Sequence, residues 1–370
     1  MTTDLLFVHS SDELYGADRV LGYMLDALTE SERARTRVWL PSDLEHGQFP
    51  LCEQLRGRGI RVDHVPLPIL RRANLTPSGG ADLTRRAIAF RAAVGRLNPH
   101  LVYGTTSATL PALAALRGTG RRVILHNQEV WKPREAMVLA GLAANVDAVI
   151  AISQATRDSM PPALTSRTTV VANTTPDPYA GSNFAALDTL PKNPLRFLAA
   201  GRWTANKGFD VLIEAWGSAP AAVLTIVGGP PPSGPALDVP TLVAASLAAS
   251  TVNVMTEVDS INPLIADSHV VVMPSTWDEP FGLVALEGMA AGRPVVASRV
   301  GGLAQFVTED VGWLVDPGDP DALAQVLSRI TYTDVIAKGQ RAREVYLDRF
   351  APQRFHAAWR TAVGLDSWPD

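Results

Sequence analysis

The sequence predicts an α/β protein made of two Rossmann-like domains, each a parallel sheet covered by helices. Three observations predict it. Short apolar runs alternate with helix-length patterned segments along the chain. The alternation is interrupted once, between about 174 and 194, by a stretch dense in Pro, Asn, Asp and Gly. The 370 residues also exceed the roughly 100 to 200 that one domain usually holds.

In the first half LLFVHS (5–10) reads as a strand and ADRVLGYMLDAL (17–28) as a helix. TRVWLP (36–41), helical LCEQLRGRG and RVDHVPL (61–67) continue the pattern. After the helical LTRRAIAFRAAVGRL come HLVYGTT (100–106), a helix through ALAALRG, then RVILHNQ (122–128), DAVIAIS (147–153) and TTVVANT (168–174). The segment TTPDPYAGSNFAALDTLPKNP then reads as a linker. The second rhythm runs through LRFLAAG (195–201), FDVLIEAW, AVLTIVGG (222–229), TLVAASLAA, TVNVMT (251–256), HVVVMPS (269–275), LVALEGMAAG, PVVASRV (294–300) and GWLVDP (312–317). The expected division is 1–174, a linker 175–194, 195–348, and a C-terminal helix 349–370 returning to the first domain.

Composition narrows the class. With 46% apolar and 19% charged residues, and apolar runs broken well before the roughly 20 residues of a membrane span, the chain reads as globular and soluble. Its first residues enter a strand pattern without the basic and apolar regions of a secretory signal. The single cysteine, Cys52, forms no internal disulfide and no Cys-based metal cluster, which fits a reducing compartment. The expectation is a cytoplasmic protein. A pI near 6.0 without a basic, aromatic strip argues against nucleic-acid binding.

Charge is uneven. Residues 1–180 carry 20 basic against 17 acidic side chains, and the remainder 13 against 20. Arg71, Arg72, Arg85, Arg86, Arg91 and Arg96 fit a basic face toward an anionic lipid surface or acceptor, and equally fit solvated helix arginines.

In parallel sheets ligands bind beyond the carboxyl ends of the strands, so residues just after each strand carry the functional argument. The densest segment is MPSTWDEPFGLVALEGMAAGRPVVASRVGG, 273–302. A strand ends at Met273, a loop carries Asp278, Glu279 and Pro280, and Gly282 precedes a helix beginning near Leu283. Free N–H groups at that helix start suit a phosphate, and Gly282 leaves room for it. Glu279 at the mouth and Glu287 inside the helix suit a sugar and a ribose diol, because carboxylates accept two hydroxyl hydrogens. Glu287 also fits a solvated helix residue, and Glu279 a charge favoured at a helix N-terminus. In LAAGRWTANKGFDVLIEAW, Arg202 and Lys207 share one strand-end loop, an arrangement suited to a diphosphate or to two exposed cations. Tyr15-Gly16-Ala17 joins the first strand to the first helix, where Gly16 permits close backbone approach or simply starts the helix. His126 follows a strand beside Asn127, Gln128, Glu129 and Trp131, polar and aromatic groups of the kind a sugar needs.

These motifs together resemble the GT-B glycosyltransferases of family 4 over most of the chain. The resemblance rests on EPFGLVALEGMAAGRPVVAS, GRWTANKG, AISQATRDSM, VGGLAQFV and GWLVDPGDPDALA. It implies GT-B architecture, with the two domains facing a cleft, the first on the acceptor side and the second on the donor side. It implies that Arg202 and Lys207 bind the donor diphosphate, that Glu287 holds the ribose, and that Glu279 contacts the transferred sugar. The backbone around Phe281, Gly282, Leu283 and Val284 would line sugar and phosphate, Gly16 would let the first domain close on the diphosphate, and His126 would touch the sugar. The implied reaction is retaining, metal-independent, hexosyltransferase-type transfer without a cofactor. Its donor would be a nucleotide diphosphate sugar, UDP before GDP. Its acceptor would be lipid-linked, glycan or small, in cell-envelope or exopolysaccharide biosynthesis, with peripheral contact at an anionic membrane.

The chain departs from the pattern at Tyr15, where a second glycine is frequent, at Asn173-Thr174-Thr175, where Asn-Gly-Val is frequent, and in the proline-rich VGGPPPSGP loop, 227–235. The competing classes are a sugar-nucleotide epimerase and a non-catalytic sugar-nucleotide binding module. A nicotinamide dehydrogenase would need a GxGxxG turn, which SDELYGADR lacks.

Overall fold

The computed structural model describes residues 3–44, 49–71, 76–180, 186–217, 222–231, 234–247, 249–277 and 279–367. The chain forms two compact units, one of Met1–Asn173 with Phe355–Asp370, the other of Thr174–Arg354.

The first unit contains β1 (Leu5–Val8), β2 (Thr36–Pro41), β3 (Arg61–Val65), β4 (Leu101–Gly104), β5 (Arg122–Asn127), β6 (Ala148–Ala151) and β7 (Thr168–Val170). They form a sheet in the order β3-β2-β1-β4-β5-β6-β7 with every described pairing parallel. The second unit contains β8 (Leu195–Ala200), β9 (Ala222–Val227), β10 (Val252–Met255), β11 (Val270–Met273), β12 (Val295–Ser298) and β13 (Gly312–Val315). Their order is β10-β9-β8-β11-β12-β13, again parallel. Both sheets therefore have the doubly wound 3-2-1-4-5-6 order, and the order reverses at β1/β4 and at β8/β11. Helices cover both faces, which is why LLFV of β1 and VVVM of β11 are apolar at every position and buried throughout.

In the helix Pro352–Val363, Phe355, Trp359 and Val363 recur every four residues and are all buried. Trp359 stacks on Phe7 and meets Tyr103 edge-on. Arg360 grips Glu32 through both carboxylate oxygens at 2.7 and 3.1 Å. Burial alone would raise the Glu32 pKa, but these contacts and the Thr29 hydrogen bonds bring it below the ordinary value.

The described residues of the stretch 175–194 pack on the second unit. Thr175 accepts the Tyr346 hydroxyl at 2.8 Å, Asp177 pairs with Arg343 at 2.8 Å, and Leu187 enters the hydrophobic core. A run rich in Pro and Asn cannot extend a helix or strand, yet it offers side chains and carbonyls for docking along a surface.

The arginines of the first unit are differently placed from a free cationic face. Arg71 and Arg86 both pair with Asp43, at 3.0 and 2.8 Å, and Arg85 and Arg86 both pair with Asp82. Arg91 donates to the carbonyls of Ala115 and Arg117. Arg72 lies outside the described residues. Asp82 stands three and four residues before its partners on one helix, whereas Asp43 comes from a distant loop. Among the described residues no helix is long and apolar enough to cross a membrane.

Candidate active site

The second unit brings most of the expected residues together at the carboxyl ends of β8 and β11, the point where its strand order reverses. After β8 the chain passes Gly201 and the exposed Arg202, makes a short turn Ala205–Lys207, and enters the helix Phe209–Trp216 through Gly208. Gly208 has φ +66°, and a Cβ there would overlap the Pro274 carbonyl oxygen. Only glycine lets the two loops touch at this point. The touch delivers Lys207 to the loop after β11, where its Nζ lies 2.6 Å from Glu279 Oε2. Ser275 Oγ donates to the same oxygen at 3.2 Å. Both side chains of the pair are mostly buried, at 18% and 12% exposure, so their attraction is weakly screened.

Beyond Glu279, Gly282 takes φ +100° and caps the helix Leu283–Ala290 without a side-chain hydrogen bond. The first N–H groups of that helix have no partner inside it, which favours an anion at that end. A Cβ at Gly301 would overlap the Glu279 backbone, and one at Gly302 would press on Pro280 and Phe281; Gly302 N also donates to Glu279 O at 2.7 Å. The glycine pair after β12 thus holds the loop closed against the sheet. Phe281 is buried against Phe306 and Phe350, with ring centroids 5.2 and 6.2 Å away, so only its backbone is available to a ligand. Val284 packs on Leu198, Ala200 and Val227. Glu287 is buried inside the same helix, not solvated on its surface. Asp278 lies outside the described residues. Reading the sequence did not single out Ser275, Gly301 or Gly302; the strand-end rule applied after β11 and β12 would have found all three.

In the first unit Gly16 is exposed at the start of the helix Gly16–Asp26. Its neighbour Tyr15 donates its backbone N–H to Asp18. Asp18 also holds His9 Nε2 at 2.9 Å and Ser11 Oγ at 2.7 Å. Burial opposes the charged form of Asp18, but the His9 and Ser11 contacts outweigh it and its pKa falls below the ordinary value. His9 follows β1 directly and was visible to the strand-end rule.

His126 lies inside β5, one residue before its end, with its ring fully buried. Trp359 Nε1 donates to the Tyr103 hydroxyl oxygen at 2.9 Å, and that oxygen lies 3.0 Å from His126 Nδ1. Indole N–H is a donor only, so the buried phenol proton can go only to Nδ1. The opposite tautomer would offer its proton to Met24 Sδ, 3.0 Å away and a weak acceptor, and would strand a buried O–H at about 1–3 kcal/mol. The imidazole proton therefore sits on Nε2, which has no partner among the described residues. Burial also pushes the His126 pKa down to about 3, so the ring is a neutral N–H donor at physiological pH. Asn127, next in the strand, faces the other side, where its Oδ1 accepts from Ser107 Oγ and Trp131 Nε1.

Among the described residues one group of side chains, Asp12, Cys52 and His64, has metal-ligand chemistry at close range. Asp12 there accepts from Cys52 N at 2.9 Å and meets His64 Nε2 at 2.7 Å, so both oxygens are engaged in joining β1, β3 and the helix Pro50–Gly57.

Two parallel doubly wound units with these loops define a GT-B architecture, and comparison with solved structures agrees. The Anabaena HepE protein in complex with UDP-glucose superposes with a TM-score of 0.79 at 22% identity, over 99% of this chain and 100% of that one. Sucrose-phosphate synthase from Thermosynechococcus elongatus gives 0.79 at 21% identity over 98% of each chain. Residues 194–332, which span most of the second unit, match the family of group 1 glycosyl transferases. The chain thus has the GT-B fold, and its residues 194–332 are similar to the group 1 glycosyl transferases. A D-inositol 3-phosphate glycosyltransferase of Xylanimonas cellulosilytica is 39% identical over 184 residues, 48% of this chain and 42% of that protein. An uncharacterised glycosyltransferase of Methanocaldococcus jannaschii is 48% identical over 73 residues, 20% of this chain and 18% of that one. The matched stretches span less than half the length of these curated relatives.

Proposed function

We propose that this protein is a retaining, metal-independent glycosyltransferase of the hexosyltransferase class. It takes a nucleotide diphosphate sugar, UDP-linked first and GDP-linked second, and passes the sugar to a hydroxyl acceptor in cell-envelope or exopolysaccharide biosynthesis. The observation that carries this reading is the joint placement of Lys207, Glu279 and the uncapped start of the helix Leu283–Ala290 at the strand-order reversal of the second unit. Two cations, Arg202 and Lys207, and a set of aligned N–H groups suit a diphosphate, and they suit it best when its charge grows as it leaves.

In the proposed reaction the bond between the anomeric carbon and the diphosphate oxygen breaks, and the departing diphosphate takes that electron pair. The acceptor oxygen bonds to the same face of the anomeric carbon, and its proton passes to the departing oxygen. Products are the glycoside and the nucleoside diphosphate. Arg202 and Lys207 supply the countercharge that a metal supplies elsewhere. Glu279 orients the sugar and stabilises positive charge at the anomeric carbon, Glu287 takes the ribose diol, Gly16 leaves space for the phosphates, and His126 gives its Nε2 proton to a sugar hydroxyl. A UDP-linked donor is further supported by the similarly folded HepE protein, whose structure holds UDP-glucose.

The test is a panel of UDP-, GDP-, ADP- and dTDP-sugars, scored for thermal stabilisation and for slow hydrolysis without acceptor, on the native protein and on Glu279→Ala. One donor that both stabilises and hydrolyses, with hydrolysis lost in the variant, supports the proposal. Absence of binding, or epimerisation without release of nucleotide, sinks it.

A further inference from the structure

Glu129 stands two residues beyond β5 in the first unit and has an unusual position for a carboxylate. It accepts from Ser107 N at 3.1 Å and from Ser107 Oγ at 2.8 Å, and no Lys or Arg of the described residues pairs with it. Burial raises its pKa, the expected result for a carboxylate withdrawn from water without a cation.

The same hydrogen-bond cluster contains a donor in the opposite condition. Asn127 Oδ1 accepts from Trp131 Nε1 at 3.1 Å and from Glu129 N at 3.3 Å, and lies 2.9 Å from Ser107 Oγ, whose single proton it shares with Glu129. Two of those partners are N–H groups that can only donate, which fixes the amide orientation and identifies the other atom as Nδ2. Nδ2 is buried and has no partner among the described residues. A buried amide donor and a carboxylate with lone pairs to spare thus share one cluster, tied together through Ser107.

Few ligand groups satisfy both. An ammonium donates to the carboxylate but gives the amide nothing, and a phosphate accepts from the amide but is repelled by the carboxylate. A hydroxyl donates and accepts at once. Ser10 and Ser11 follow β1 and Thr106 follows β4, where the strand order reverses, and Thr106 Oγ1 donates to Ser10 Oγ at 3.0 Å. These too are hydroxyl-binding groups without charge.

We propose that Glu129 and Asn127 anchor an uncharged, polyhydroxylated acceptor on the first unit, and that Glu129 turns away the same molecule phosphorylated at the anchored position. This rests on the transferase reading for the word acceptor, but the binding itself is measurable without turnover. The proposal separates this chain from the relatives named for D-inositol 3-phosphate, whose substrate carries the phosphate that Glu129 disfavours.

The experiment titrates neutral polyols against their phosphate esters by calorimetry: myo-inositol with inositol 3-phosphate, glucose with glucose 6-phosphate, glycerol with glycerol 3-phosphate, and glucosamine as the cationic control. At least one neutral polyol binds the native protein, at least tenfold more tightly than its ester and more tightly than glucosamine. Glu129→Ala weakens it tenfold or more. Glu129→Gln keeps a carbonyl oxygen for Ser107, folds as the native protein does, and narrows the discrimination against the ester. The proposal is overturned if an ester or glucosamine binds best, if no polyol binds, or if Glu129→Ala leaves polyol affinity unchanged. UDP-glucose titrated in parallel keeps the two readings apart. Its failure to bind the native protein counts against donor use alone, whereas a polyol result that disagrees counts against Glu129 alone.

Discussion

Lys207 Nζ lies 2.6 Å from Glu279 Oε2, so the cation expected to grip the donor diphosphate and the carboxylate expected to face the donor sugar hold each other. A diphosphate reaching Lys207 competes with Glu279 for it. Glu279→Gln therefore tightens binding of UDP without sugar, by a few-fold, on the order of the 1 kcal/mol that such a pair contributes. The same substitution lowers turnover of UDP-glucose. Lys207→Ala strands the Glu279 carboxylate and weakens UDP at least tenfold, about 1.4 kcal/mol or more. Calorimetry with UDP on both variants decides it. Weaker UDP binding in Glu279→Gln would show that the pair does not compete with the ligand.

Gly208 and Gly118 have nearly the same backbone, φ +66° and +74°, but different surroundings: a Cβ at Gly208 meets the Pro274 carbonyl, and one at Gly118 meets nothing. Gly118→Ala then costs only the left-handed backbone strain, about 1–2 kcal/mol. Gly208→Ala adds a backbone collision, costs about 2–4 kcal/mol, and moves Lys207. Urea unfolding of both variants, with UDP titration, checks the ordering. Equal losses would mean that the contact between the two loops relaxes freely.

Tyr103→Phe removes the proton that fixes His126 and leaves Trp359 Nε1 without an acceptor. Nitrogen-15 chemical shifts of the ring report Nε2–H in the native protein and a mixture of tautomers in the variant. Stability falls by about 1–3 kcal/mol for the stranded indole donor. A ring spectrum unchanged by Tyr103→Phe would show that Met24 or another contact sets the tautomer.

His126 also makes stability depend on pH in a known direction. Its pKa is pushed down to about 3 by burial, against an ordinary value of 6.5, so between those values the unfolded chain binds the extra proton. Stability from this residue is complete above pH 6.5 and is lost as pH falls from there toward 3, with a limiting slope of about 1.4 kcal/mol per pH unit. His269 and His356, also lowered chiefly by burial, act in the same sense, so the informative quantity is the difference between native protein and His126→Gln. The variant loses less stability than the native protein between pH 6.5 and 4. Parallel curves would mean that His126 is protonated in the folded state.

Much of the fold was legible because parallel strands covered on both faces read as apolar runs, as in LLFV of β1, VVVM of β11 and VVAS of β12, whereas RVDHV of β3 and TTV of β7 are more polar and less buried. The loops after β8 and β11 were legible for a related reason, since strand ends are where ligands sit and Arg202, Lys207 and Glu279 follow them directly. Pairing across large separations was not. Arg86 meets Asp43 across 43 positions and Trp359 meets Tyr103 across 256, and periodicity records only neighbours along one element. Thus six arginines suggested a cationic face, while the carboxylate Asp43 that offsets two of them, Arg71 and Arg86, came from elsewhere in the chain. Glu287 illustrates the same limit, because a carboxylate in a helix looks alike in sequence whether water or protein surrounds it.

The helix Pro352–Val363 completes the first unit, yet in chain order it follows the whole of the second. During synthesis, a nascent chain that has emerged only as far as Arg354 already holds every residue of both sheets, but not Trp359, so His126 then lacks the indole that orients its hydroxyl partner. The ring is set in its donor form only after the ribosome has finished the C-terminal helix. A chain stalled or clipped before that point can bury two cores and still carry an unprepared histidine.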